Sequence, residues 1–186
     1  MTTARRFTAA VLALLSLRAV QGLGASGVVL DRASYDLHPA LEMQLWAAEP
    51  DVVDPVAMCF DANGRAYVVE MRDYPTGMPP DGRPGGTIRL LEGMNADGKP
   101  ERATLFATGL RFPTSITPWR GGVLVAAPPQ ILWLKDTNRD GVADTREVVL
   151  DGFHAGVTDS NVNGLRSEEH TSELQSHLNL VCRLLL

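Results

Sequence analysis

Between about residue 52 and residue 150 the chain alternates short apolar runs with clusters of Gly, Pro, Asn and Asp. That rhythm predicts strands separated by turns. Val56–Phe60 reads as one strand, Asp61-Ala62-Asn63-Gly64 as a tight turn, and Arg65–Glu70 as the returning strand. Asn-Gly between two apolar runs is the strongest short hairpin signal. Ile88–Glu92 and Ala103–Ala107 predict a third and a fourth strand. Ser115–Thr117, Gly122–Ala127, Ile131–Leu134 and Glu147–Leu150 predict a second set of four, and Leu30 to Glu49 a leading strand segment. No helical period survives for more than about two turns beyond residue 27, and 17 Gly and 12 Pro interrupt any longer one.

The two sets are copies. Ile88-Arg89-Leu90-Leu91-Glu92 aligns with Ile131-Leu132-Trp133-Leu134-Lys135 at an offset of 43, and Asp97-Gly98 meets Asp140-Gly141 at the same offset. Upstream the offset is 58: Pro55 meets Pro113, Gly64 meets Gly122, and Tyr67-Val68-Val69 meets Val125-Ala126-Ala127. The difference is an insertion in the first copy, a Pro/Gly-rich loop across Met71 to Gly86. Four short strands per repeat of about 40–50 residues is the pattern of a propeller blade. The expected fold class is therefore all-β, a partial β-propeller of about two blades plus the leading segment. A β-sandwich accounts for the strands but not for the period. Propellers close with four to eight blades, so two leave sheet faces and edges to be covered.

Both ends depart from this rhythm. Arg5 and Arg6 precede an apolar run from Phe7 to Leu17, followed by small residues from Gly22 to Gly27. This order predicts a signal peptide over residues 1–26 and an exported, periplasmic or membrane-associated protein. A short uncleaved anchor is the alternative, although the run is about half of a membrane span of roughly 20 residues. The propeller segment is expected over 27–165. From Arg166 to Leu186 the repeat stops, and Arg166-Ser167-Glu168-Glu169-His170-Thr171-Ser172-Glu173-Leu174-Gln175-Ser176-His177 resembles the conceptual translation of a common short-read sequencing adapter. This tail is expected to be an assembly artefact; a genuine amphipathic helix is the alternative.

Composition narrows the classes. Lys and Arg number 17 against 22 Asp and Glu, a net charge of −5 with no basic excess, which sets nucleic acid aside. Without the tail Cys59 is the one cysteine, so an internal disulfide is excluded, and its place between Met58 and Phe60 suggests a buried structural thiol.

Three places could carry chemistry. Asp136, Asn138, Asp140 and Asp144 present oxygens at intervals that suit Ca²⁺, with the Val142 carbonyl and Glu147 completing an EF-hand-like order and Gly141 allowing a sharp turn. The flanks read as strands, so the expectation is a Ca²⁺-type loop in a β-hairpin, against a plain Asp/Asn-rich hairpin. The first copy places Gly93 where the second has Asp136, so binding there should be weaker. On the inserted loop, Arg72 is a candidate for an anionic cofactor group and Asp73 a candidate base; the plainer reading is an Arg72–Asp73 pair on a solvated loop. His154 is a further acid–base candidate, with a solvated imidazole as the alternative.

As a set, Glu49-Pro50, Asp54-Pro55, Phe60-Asp61-Ala62-Asn63-Gly64-Arg65, Val69-Glu70-Met71-Arg72-Asp73-Tyr74-Pro75, Phe112-Pro113, the Asp136–Asp144 stretch and Gly152-Phe153 resemble one family. They look like the N-terminal propeller of the membrane-bound dehydrogenases of planctomycetes and related bacteria, which are similar to glucose/sorbosone dehydrogenases. The resemblance covers about Leu41 to Leu165. It implies oxidation of a sugar or alcohol with pyrroloquinoline quinone and electron transfer to a cytochrome c domain. The chain has no Cys-x-x-Cys-His, so it carries no c-type haem site itself. A propeller that binds a glycan or protein without catalysis, and a Ca²⁺-binding structural module, are the alternative functions.

Overall fold

The computed structural model describes residues 32–155 and 161–166. Residues 1–26, expected to be a signal peptide, and residues 167–186 of the tail lie outside them. Among the described residues eight strands form, at the places the apolar runs predict: β1 (Pro55–Phe60), β2 (Ala66–Glu70), β3 (Gly86–Met94), β4 (Pro100–Leu110), β5 (Ser115–Trp119), β6 (Gly122–Ala127), β7 (Gln130–Lys135) and β8 (Thr145–Leu150). They make two antiparallel four-stranded sheets, ordered β1-β2-β3-β4 and β5-β6-β7-β8. The described part is nearly all β, with two consecutive meanders consistent with a partial propeller.

The repeat extends to a local irregularity. Ile88 pairs with Ala107 and Arg89 with Leu105, leaving Phe106 as an extra residue; Ile131 pairs with Leu150 and Leu132 with Val148, leaving Val149 extra. Phe106 and Val149 are themselves 43 residues apart. Both copies thus bulge at one repeat position, which increases the twist of each outer strand.

Alternation decides what is buried. Tyr67 and Val69 of β2, Ile88 and Leu90 of β3, and Phe106 face Val123 and Val125 of β6 and Leu132 and Leu134 of β7 in one core between the sheets. Tyr67 and Phe106 meet edge-to-face at 5.0 Å. Ala66, Val68 and Leu91 point the other way and are covered by Val52, Trp46 and Ala47. The backbones of the sheets approach most closely where β1 and β2 meet β5. Toward the outer strands the gap is spanned by the β7–β8 loop, whose Ala143 N–H donates to the Phe106 carbonyl at 2.8 Å, and by Arg146, whose guanidinium donates to the carbonyls of Thr108 and Gly109.

The leading segment differs from expectation. Among the described residues before β1 there is no strand, only a 3-10 turn at Arg32–Ser34. Pro39 and Pro50 interrupt a backbone ladder, and the segment docks through side chains instead, with the Trp46 indole N–H donating to the Gly98 carbonyl at 2.8 Å.

Candidate functional site

The predicted Asp61–Gly64 turn forms and has a twin. Asp61 Oδ1 accepts from the N–H groups of Asn63 and Arg65, each at 2.9 Å, and Gly64 adopts φ 76°. Asn95 repeats this with the N–H groups of Asp97 and Lys99, each at 2.9 Å. The β3–β4 connection therefore closes tightly. The equivalent β7–β8 connection opens into the Asp136–Asp144 loop, because Asp136 in place of Gly93 caps donors further along the chain.

In that loop Asp136 Oδ1 accepts from the Arg139 N–H at 2.6 Å and Oδ2 from the Gly141 N–H at 2.9 Å. Arg139 and Gly141 both lie in the left-handed region, at φ 65° and φ 89°; the second suits glycine, the first is held by the Asp136 bond. Asp140 Oδ1 accepts from the Val142 N–H at 2.8 Å, and Asn138 Nδ2 donates to Asp140 Oδ2 at 3.0 Å. Asp144 accepts from the Thr137 hydroxyl at 2.6 Å and from the N–H groups of Thr137 and Asn138. The Thr137 hydroxyl bond, opposed by slight desolvation and joined by the other donors, holds the Asp144 carboxyl below its ordinary value of 3.8. Glu147 lies on β8 opposite Trp133, outside the loop.

The donors are hard oxygens of the kind Ca²⁺ takes. As arranged they do not converge: among the described residues no three His, Cys, Asp or Glu side chains gather as a metal cage. The loop is organised by its own N–H groups.

The inserted loop places its candidates apart in environment. Arg72 is exposed, whereas Asp73 is only 1% exposed. This corrects the solvated-pair reading. Asp73 Oδ2 accepts from the Phe112 N–H at 2.9 Å and the Gly85 N–H at 3.3 Å. It thereby ties the insertion to the link between the sheets, where Phe112 sits at φ 40°. Asp73 Oδ1 is buried without a hydrogen-bond partner. The loop also needs Gly86, since a Cβ there would lie 2.3 Å from Pro113 Cδ. His154 is exposed after β8.

Two buried or clustered groups escaped the sequence reading. Glu70 is fully buried and accepts from the Val53 N–H at 3.0 Å, the Thr87 hydroxyl at 2.5 Å and Arg89 Nε at 3.3 Å. Its signal was Arg89, a lone charge in the apolar run Ile88-Arg89-Leu90-Leu91, which requires an acid partner. The second is a cleft of ≈ 750 Å³ at the end of the sheets, lined by Arg65, Glu92, Lys135, Asp136 and Arg139 among others. Its residues come from the β1–β2, β5–β6 and β7–β8 connections and from β3 and β7, so no local motif announces it. Cys59 is half-buried; burial, and then the Asp61 charge, push its thiol up to about 12, which disfavours the thiolate.

No match exists among curated proteins or solved structures. One family, described as Domain of unknown function (DUF7133), matches residues 31–168, a span that takes in both sheets, the inserted loop and the Asp-rich loop. On a match over well beyond half of its length, the chain belongs to the DUF7133 family.

Proposed function

We propose that these residues are two blades of a larger, exported, dehydrogenase-like propeller, in which they act as scaffold for chemistry completed elsewhere in the protein. One observation carries the reading: two equal meanders come closest at their first strands, β1 and β5, and are wedged apart toward their outer strands by a loop. Blades around an axis behave this way, whereas aligned sandwich sheets keep a spacing of about 10 Å throughout. The outer face of the first sheet supports it too. Val56, Met58 and Phe60 are 48%, 48% and 54% exposed there, an apolar surface that a neighbouring blade would cover.

Sugar or alcohol oxidation with pyrroloquinoline quinone, and electron transfer to a cytochrome c domain, rest on the motif resemblance. The two candidates on the inserted loop stand in different environments, Asp73 buried under its loop and Arg72 facing solvent. No catalytic step is assigned to them. Ca²⁺ at the Asp136–Asp144 loop would require its carboxylates to exchange N–H partners for metal. The test is the complete gene product, assayed with the quinone, Ca²⁺ and a dye acceptor over a panel of sugars and alcohols. Turnover supports the dehydrogenase reading. Saturable glycan or protein binding without turnover replaces it with a non-catalytic propeller. In the same preparation, calorimetry should show Ca²⁺ binding that Asp140→Ala abolishes; unchanged affinity removes the loop as the metal site.

A further inference from the structure

The cleft between the sheets contains charges in two different conditions. Arg65 is neutralised, with its Nε 2.7 Å from Asp61 and its Nη1 3.7 Å from Glu92. Glu92 is held again by Arg102 at 2.5 Å. Asp136 spends both oxygens on the Arg139 and Gly141 N–H groups. The acids of the cleft are thus already engaged. Lys135 and Arg139 are not: neither is in an ion pair among the described residues. Both are placed by the fold. The Lys135 ammonium lies 5.6 Å above the Trp133 ring and passes over Gly121, where an added Cβ would be 3.7 Å from its Nζ. Arg139 projects from a backbone fixed by Asp136.

We propose that this cleft binds a small organic oxyanion, a carboxylate or phosphate group, through the Lys135 ammonium and the Arg139 guanidinium. The volume is within the range of small-molecule sites, about 300–1,000 Å³. The guanidinium offers paired donors matched to two oxygens of one anion, and the ammonium adds a point charge. Arg65 and Asn63, from the β1–β2 turn, also line the cleft, where they can meet hydroxyl or carbonyl groups on the rest of the ligand. The site does not rest on the dehydrogenase reading; because Asp136 and Arg139 belong to the Asp136–Asp144 loop, it is tested with that loop free of metal.

The experiment is calorimetric titration of the full chain, in EDTA and at fixed ionic strength, with inorganic phosphate in one arm and gluconate in the other. Saturable binding of either is expected, and the arm that binds identifies the group recognised. Lys135→Gln and Arg139→Gln should each weaken it by about tenfold or more, the effect of one lost charge-assisted hydrogen bond. Lys135→Arg, which keeps the charge, should stay within about threefold. Arg111→Gln, outside the cleft, should change nothing. Absence of saturable binding in both arms overturns the proposal, as does full retention of binding in the Lys135→Gln and Arg139→Gln variants. Unfolding midpoints equal to wild type exclude misfolding as the cause of any loss.

Discussion

Glu70 shows how much one side chain can fix. Its carboxylate is fully buried at the end of β2, joined to the leading segment through Val53 and to β3 through Thr87 and Arg89. Removing one partner of a buried pair leaves the other charge uncompensated, at about 3–5 kcal/mol. Glu70→Ala should therefore destabilise the protein by about that amount in urea titration; a loss below about 1 kcal/mol would place the pair in the solvent-screened class instead. The sequence contained half of this information. Arg89 in an apolar strand demands an acid, but which acid depends on register, and Glu70 faces Thr87 and Arg89 only once β2 and β3 pair. Asp73 was misjudged for the same kind of reason: Gly, Pro and charge imply solvent locally, while the partner that buries it, Phe112, is 39 residues away.

The eight strands were legible because their alternation, turn residues and repeat all agree. The leading segment was not, because its anchor is a side-chain contact from Trp46 rather than a ladder. The Asp61 turn lends itself to a pH test at this scale. Partial burial opposes ionisation of Asp61, but the Arg65 side chain and the N–H groups of Arg65 and Asn63 outweigh it, so its folded value lies below 3.8. A depressed carboxyl contributes stability above its unfolded value, and that contribution is lost as pH falls through the folded one. Asp61→Asn should accordingly be less stable than wild type at about pH 6, with the gap closing below about pH 3.8. Denaturant midpoints across that range check it; a gap independent of pH would show that the lost stability does not come from the Asp61 charge, and no gap at all would assign the turn's stability to hydrogen bonds that Asn preserves.

For the whole molecule, two linked features matter: sheets that meet at their first strands, and a loop that fills the space between their last ones. The Asp136–Asp144 loop has a structural task in this account irrespective of metal, since it spans the gap to Phe106 and forms one wall of the cleft. The blade-like repeat was legible in the chain as a period; the wedge was not, because it arises from contacts between copies. The match to the DUF7133 family spans both sheets together with that loop. The most direct test of the account is an experimental structure of the complete gene product. It should show β1 and β5 side by side around a central axis, with Val56, Met58 and Phe60 buried under a further four-stranded sheet. Two sheets closed on each other as a sandwich, with that face in solvent, would contradict it.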